Sequence, residues 1–230
     1  VGASYCCMSE TPPGVTWAEY LPTSRKWFKE NLGKQVEGYH ILEDSGKVVG
    51  HIYYASSENA LVPYEIEPKV AFIYCTEMLH DYTHKGYGRM MFDYAKSDLK
   101  KRGFKGILVD ATDFQEFMHY SLFAKQGFKV IMEHKPFKLM YFPLLKDKVE
   151  VKMFEFNYKP SKERVEVTLF KNFFCPVGVQ MYHSIKKVAK SFGDKVKIVE
   201  IEPTLEIVRK FGTSEPLING KIKMWGPASE

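Results

Sequence analysis

Apolar and polar positions along the first two thirds of the chain follow two different periods. Apolar residues spaced three and four positions apart predict helices over 16–32 and 86–102. Alternating or continuous apolar stretches bounded by turn residues predict six strands, at 39–42, 48–54, 70–76, 106–111, 128–132 and 138–142. Strands that alternate with helices of this length indicate an α/β sandwich.

Local signals add one more helix to this part of the chain. Asp113-Phe-Gln-Glu116 has the spacing of a capping box, in which two side chains bond the first backbone amides of a helix. Gly127 is a typical residue to end that helix. We therefore expect a helix that opens at Asp113–Glu116 and stops at Gly127.

The pattern restarts after a mixed, charged stretch at 144–164, which is the best place for a domain boundary. The sequence then predicts a strand, a helix, a strand and a helix, over 165–170, 177–192, 196–201 and 204–211. Asn219-Gly220 signals a hairpin turn near the end. The expected organisation is a domain over 1–145, a connecting segment over 146–164 and a smaller α/β domain over 165–230.

Length and composition exclude several classes of protein. The chain has 230 residues, enough for two domains, and its hydrophobic content of 45% is that of a globular protein with real cores. No apolar run approaches the about 20 residues that cross a bilayer, and the first residues lack the pattern of a secretory signal, so we expect no membrane partner. The net charge is +5, but lysines and glutamates are interleaved, which argues against a nucleic-acid partner.

The four cysteines argue for a reducing compartment. Cys6 and Cys7 are adjacent, whereas Cys75 and Cys175 are isolated, which is neither a disulfide framework nor a zinc motif. We therefore expect a cytoplasmic protein without a bound metal.

One motif carries chemistry, and it lies between a predicted strand and the helix that follows. Its seven residues are Thr83, His84, Lys85, Gly86, Tyr87, Gly88 and Arg89. Glycines let a ligand approach the backbone, and the first amides of a helix are unpaired and favour negative charge. The motif therefore predicts a cradle for an anion, most naturally a pyrophosphate.

Together with a later segment, this motif resembles the signature of the GNAT superfamily of acyl-CoA N-acyltransferases. The later segment is Lys125-Gln-Gly-Phe128, at the expected separation, and the resemblance covers roughly residues 5–145. It implies a GNAT-type mixed-sheet α/β sandwich in which the amides from His84 to Arg89 hold the pyrophosphate of acetyl-CoA. It also implies that the backbone at Met78, Leu79 and His80 pairs with the pantetheine arm and aims the thioester.

Two departures from the family pattern bear on mechanism. Thr83 stands where the family usually has Arg or Gln, which removes one phosphate-facing side chain but leaves the backbone amides. Phe123 stands at a cofactor-facing position where many members place a Tyr that protonates the departing thiolate. Tyr120, one helical turn earlier, is the candidate replacement for that acid.

The reaction also needs a base, because an amine must be neutral to attack a thioester. Glu77, His80 and Asp81 are candidates by their position at the end of the predicted strand, and we favour Glu77 or His80. Backbone amides at the strand end would polarise the thioester carbonyl.

The last domain resembles the thioredoxin-like fold. Cys175-Pro176 stands at the first position of that fold's Cys-Pro-x-Cys motif, with Gly178 in place of the second Cys, and Glu215–Ile218 resembles the segment that carries its cis proline. A thiol at a helix N-terminus is expected to be reactive when exposed. The two domains together resemble the YoaP-like two-domain acetyltransferases.

These observations lead to one preferred function and two alternatives. The preferred function is an N-acetyltransferase that moves an acetyl group from acetyl-CoA to a small-molecule or peptide amine, including lysine, in a chain that could form a homodimer. The first alternative is a non-catalytic acyl-CoA sensor, because the usual Tyr and the usual Arg or Gln are missing. The second is a monothiol redox or binding protein that uses Cys175.

Overall fold

The computed structural model describes residues 14–115, 117–160 and 163–223. Its helices are α1 (Leu21–Asn31), α2 (Tyr87–Lys101), α3 (Tyr120–Lys125), α4 (Pro176–Ser191) and α5 (Leu205–Phe211). The strands of the first half are β1 (Glu37–Leu42), β2 (Val48–Ser56), β3 (Tyr64–Ile66), β4 (Val70–Met78), β5 (Gly106–Thr112), β6 (Lys129–His134) and β7 (Phe137–Pro143). The later strands are β8 (Val151–Met153), β9 (Val165–Phe170), β10 (Val196–Ile201), β11 (Leu217–Ile218) and β12 (Lys221–Ile222).

The chain divides into two compact units whose segments are not contiguous. Among the described residues, the first unit contains 32–60 and 66–151. The second contains 14–31, 61–65 and the described residues from 152 onward. This division differs from the predicted boundaries, because the first helix groups with the C-terminal segment rather than with the sheet that follows it.

The first unit is built on a six-stranded mixed sheet in the order β1-β2-β4-β5-β7-β6. Only β4 and β5 are parallel neighbours; every other pair in this sheet is antiparallel. Buried side chains of α2 and α3 share one core with the sheet. It includes Ile52, Tyr54, Ala71, Ile73, Met91, Phe92, Ala95, Leu99, Val109 and Phe123. Both helices therefore cover the same face of the sheet.

Strands β4 and β5 separate part-way along their length. β4 pairs with β5 only over Val70–Ile73, whereas it stays paired with β2 as far as Met78. Opposite this point the register of β2 and β4 shifts, because Tyr53 pairs with Cys75 but Tyr54 pairs with Ile73. The extra residue on β4 is a β-bulge, which bends the strand and redirects the side chains that follow.

The second unit has a four-stranded sheet in the order β10-β9-β11-β12. β9 is parallel to β10 and antiparallel to β11. Helix α4 packs on this sheet through Met181, Tyr182, Ile185 and Ala189, which are buried with Val167 and Leu169. The predicted Asn219-Gly220 hairpin is confirmed, and both of its residues have positive φ angles, 48° and 70°.

The N-terminal helix packs against α4. The Tyr20 ring stacks on His183 with centroids 5.2 Å apart, and Trp27 and Phe28 contact Phe174 at 5.8 and 6.3 Å. These aromatic contacts explain why residues 14–31 group with the second unit.

Two sequence expectations are wrong in detail. The helix expected from Asp113–Glu116 to Gly127 is limited to α3, which begins at Tyr120 with His119 as its N-cap. The peptide bond before Pro216 is trans, since Lys135–Pro136 is the cis bond of the described residues. This is a departure from the thioredoxin-like pattern at that segment.

Candidate active site

The residues of the predicted cradle lie in the turn between β4 and α2. Gly86 caps α2 with a left-handed backbone (φ 84°), and its carbonyl accepts the first helical bond, from the Met90 amide at 3.0 Å. His84 is also left-handed, with φ 59°. The Thr83 hydroxyl donates to the His80 carbonyl at 2.7 Å, so this side chain stabilises the turn. Because residues 84 to 87 are exposed, the amides at the start of α2 face open space.

Gly86 and Gly88 are suited to glycine for different physical reasons. Gly86 needs its positive φ, whereas Gly88 lies in the first turn of α2 without one. A Cβ atom built at either glycine meets no atom within 4 Å. Neither backbone strain nor packing therefore requires glycine at position 88, and the missing side chain leaves room for something to approach the amides closely.

Aromatic and basic side chains surround this turn. The Lys85 Nζ atom lies 5.4 Å from the centre of the Tyr82 ring, whose hydroxyl donates to the Glu43 carboxylate. Tyr87 lies 6.2 Å from Tyr82, and the exposed Arg89 pairs with Asp93 at 3.7 Å. Two basic side chains, Lys85 and Arg89, thus lie in or next to the turn.

Met78, Leu79 and His80, the residues predicted to pair with the pantetheine arm, lie in different surroundings. Met78 packs against the core, and Leu79 is buried, with its amide bonded to the Val49 carbonyl at 2.9 Å. The Leu79 amide is therefore engaged by β2. His80 and Asp81 are exposed in a short 3-10 turn over His80–Tyr82.

Glu77 lies on the face of the sheet opposite α2. Met78 packs into the α2 core, and successive strand residues alternate between faces, so Glu77 points the other way. It pairs across strands with the buried His51 of β2. Desolvation raises the pKa of Glu77 to about 7 and, together with the nearby His40, lowers the pKa of His51 to about 3. The carboxyl group can thus gain or lose a proton near neutral pH beside an uncharged imidazole.

Tyr120 and Phe123 lie one turn apart on α3 in different surroundings. Phe123 is fully buried, with its ring edge-to-face on Phe92 at 6.0 Å and on Phe128 at 5.7 Å. Tyr120 is 36% exposed and lies under the Lys138 ammonium, whose Nζ atom is 4.8 Å from the ring centre. Lys138 was not identified from the sequence, because the only signal that this residue gives is a cation at the start of a predicted strand.

No group of three His, Cys, Asp or Glu side chains among the described residues is arranged to hold a metal ion. No helix there is long and apolar enough to cross a membrane.

Comparison with known families assigns the chain to one of them. Residues 5–128, more than half of the chain, match the sequence model of the Acetyltransferase (GNAT) family. The chain belongs to the GNAT acetyltransferase family. Members of this family transfer acyl groups from acetyl-CoA, so the chain is an acyltransferase and acetyl-CoA is its co-substrate.

Solved structures that resemble the chain are distant in sequence. The ribosomal-protein-S18-alanine N-acetyltransferase of Escherichia coli is 17% identical over 53% of this chain and 77% of its own, with a TM-score of 0.40. The PaiA N-acetyltransferase of Thermoplasma acidophilum, solved with coenzyme A, is 21% identical over 55% and 70%, with a TM-score of 0.41. A GNAT protein of Desulfovibrio desulfuricans is 12% identical over 55% and 82%, with a TM-score of 0.45. No curated protein matches the chain.

Proposed function

We propose that the chain is an N-acetyltransferase that moves the acetyl group of acetyl-CoA to an amine, by direct attack of the amine on the thioester. The observation that carries this proposal is the open turn at the start of α2, next to the point where β4 leaves β5. The turn offers unpaired amides to an anion, and the separated strand offers backbone groups to an extended ligand.

The residues at the turn fit the pyrophosphate of acetyl-CoA. The amides from His84 to Arg89 would hold it, and the empty space at Gly88 would let it approach. Lys85 and Arg89 would add positive charge, although Thr83 does not. When bound there, acetyl-CoA supplies an activated acetyl group.

Glu77 is the proposed general base. Its carboxylate Oε atom would accept the proton of the attacking amine, directly or through one water. Its raised pKa of about 7 supports this role, because a base works best when its pKa lies near the working pH. His80 remains a candidate for the same role and is exposed at the end of the strand.

Tyr120 is the proposed general acid, because Phe123 has no proton to give and is buried. The Tyr120 Oη atom would donate its proton to the departing sulfur. Its exposed position at the first residue of α3 supports this role.

The proposed acceptor is a small-molecule or peptide amine. The direct test is CoA release from acetyl-CoA in the presence of a polyamine, an aminoglycoside, an N-terminal alanyl peptide and a lysine peptide. Release that depends on one of these amines supports the proposal. Binding of acetyl-CoA without release would support the sensor instead.

The cofactor site has its own test, Gly88→Ala. The added methyl group fills the space of the cradle and should weaken CoA binding at least about tenfold in calorimetry, while replacing a helical glycine should leave the fold at least as stable. Gly178→Ala is the matched control, because Gly178 also lies in the first turn of a helix, α4. Equal CoA affinity in the wild type and Gly88→Ala would contradict the assignment of the site.

We infer that the second unit is thioredoxin-like. Its order of strands and the position of Cys175 as N-cap of α4, with Pro176 as the first helical residue, support this assignment. Cys175 is exposed. Gly178 and the trans bond before Pro216 depart from the pattern, so we propose a binding module with a single thiol rather than a dithiol exchanger.

A further inference from the structure

The proposed acid has one cation held against its ring. Lys138 lies on β7, opposite Ala111 of β5, and its Nζ atom is 4.8 Å from the centre of the Tyr120 ring. Asp113 at 3.3 Å and Glu133 at 3.6 Å hold the same ammonium group, and only 21% of the lysine side chain is exposed. An ammonium fixed by two carboxylates keeps its place over the ring instead of sampling solvent.

Within the described residues, the charged and titratable groups around Tyr120 come from β7, from β6, from the end of β5 and from the residue before α3. Lys138 comes from β7, Glu133 from β6 and Asp113 from the end of β5, and His119 precedes Tyr120 with its ring centre 4.5 Å away. The two carboxylates bond Lys138, and the His119 Nδ1 atom accepts the Ser121 amide at 3.4 Å. Lys138 is thus the cation in contact with the ring.

Lys138 stays charged in the working range of the proposed reaction. Its pKa is raised above the usual value, first by the bond to Asp113 and then by the charges of Asp113 and Glu133. A cation over the face of an aromatic ring is attracted by the electrons of that ring, which favours one position of the ring.

We propose that Lys138 is a positioning residue for Tyr120: its ammonium group, held over the ring, fixes the ring where the Tyr120 Oη atom can give up its proton. The inference rests on the acetyltransferase function proposed above. As the acyl carbon–sulfur bond breaks, its electron pair goes to sulfur, and the Tyr120 Oη proton moves to that sulfur. Water then returns a proton to the phenolate, which balances the proton that Glu77 takes from the amine and releases to solvent.

The test is a double-mutant cycle on kcat, measured by CoA release across pH. Lys138→Met should lower kcat about tenfold, with little change in the KM for acetyl-CoA. Lys138→Arg keeps the cation and should restore most of the rate. In a Tyr120→Phe background the Lys138→Met change should have almost no effect, because the group through which it acts is gone.

Lys186→Met is the matched control. Lys186 lies 5.6 Å from the centre of the Tyr182 ring and also bonds a carboxylate, Glu200 at 2.8 Å, but in the second unit. This variant should keep the wild-type profile. CoA affinity, measured by calorimetry for every variant, shows that each one is folded.

Each result has a distinct meaning. A Lys138→Met loss that is equally large in the Tyr120→Phe background overturns the role of Lys138 while leaving the acetyltransferase intact. A Lys138→Met variant that no longer binds CoA would show that the lysine supports the fold instead, and Lys138→Arg then decides: a lost rate in that folded variant also overturns the role. No CoA release by the wild type with any amine would overturn the proposed function itself.

Discussion

Burial of Glu77 gives this residue the pKa of a general base, but it lowers the stability of the folded protein when the carboxyl is charged. In the folded chain its pKa is about 7, above the usual 4.5, so folding favours the protonated carboxyl. The stability that the protein gains from the protonated Glu77 carboxyl is fully present below pH 4.5 and is lost as the pH rises to 7. Above that pH the buried carboxylate costs at most about 3 kcal/mol.

Glu77→Gln should therefore stabilise the protein and lower its activity. Urea unfolding should show a gain that is largest above pH 7 and disappears near pH 4, because glutamine mimics the neutral acid. CoA release at pH 7.5 should fall about 10²-fold. Glu155→Gln, on an exposed carboxylate, is the control and should change neither. A stability gain with full activity would return the role of base to His80.

The candidate residues were predictable to different degrees. The cradle from Thr83 to Arg89 followed from local sequence, because glycines and a helix start are neighbours along the chain. The protonation behaviour of Glu77 was not predictable, since it depends on what surrounds the carboxyl in three dimensions. The partner of Tyr120 was equally hidden, because Lys138 reaches it from a strand that follows α3.

At the scale of elements, the C-terminal end of α2 is tied to the sheet by a polar cluster. Arg102 donates to Glu37 at 2.6 Å and to the Tyr54 hydroxyl at 2.5 Å, and Tyr39 donates to Asp98 at 2.8 Å. Tyr54 is 1% exposed, so its hydroxyl depends on these partners. The cluster fixes the far end of the helix whose first turn forms the cradle.

Arg102→Met should lower the free energy of unfolding by about 1–2 kcal/mol, because it removes two hydrogen bonds and leaves polar groups behind. CoA affinity should stay nearly unchanged, since the cradle lies at the other end of α2, roughly 20 Å away at 1.5 Å per residue. Lys101→Met, next to Arg102, is the control and should change neither quantity. Calorimetry and urea unfolding on the same samples separate the two effects, and a large loss of CoA affinity would show that the cluster also shapes the cradle.

Most elements follow from the apolar pattern, and one departure from it, at the start of α3, has a clear physical cause. The interpretation of Asp113–Glu116 as a capping box assumed that a helix begins at these residues. Instead the chain folds back on Thr112, whose amide donates to the Met118 carbonyl at 3.0 Å and whose hydroxyl contacts the Phe117 carbonyl. The loop closes there, and α3 starts only after it. A side-chain bond to the local backbone competes with helix formation, and a sequence pattern does not show which one wins.

At the scale of the whole molecule, each unit is assembled from separate stretches of sequence. The apolar spacing of residues 16–32 correctly predicted a helix, but it did not indicate which unit that helix joins. The partner surface is α4, about 150 residues later, and its aromatic side chains are ordinary members of an amphipathic helix and its preceding loop. Periodicity reports which face of an element is buried but not which element covers it.

The aromatic contacts of α1 should therefore support the second unit and the surroundings of Cys175. Trp27 packs edge-to-face on Phe174, and Phe174 immediately precedes Cys175. Trp27→Ala should lower the stability of the second unit by about 1–3 kcal/mol, because the indole is partly buried. Loosening the loop should speed alkylation of Cys175 several-fold in a chain with Cys6, Cys7 and Cys75 replaced by Ser.

Leu32→Ala is the control for this experiment, because Leu32 follows α1 directly but is 57% exposed in the first unit. It removes an exposed apolar side chain close to Trp27 in sequence, so it should leave both readouts at their wild-type values. Iodoacetamide labelling followed by mass spectrometry gives the rate at Cys175, and urea unfolding gives the stability. Equal values in the wild type and Trp27→Ala would mean that α1 adds nothing to the second unit, and residues 14–31 would then be a tether rather than part of its core.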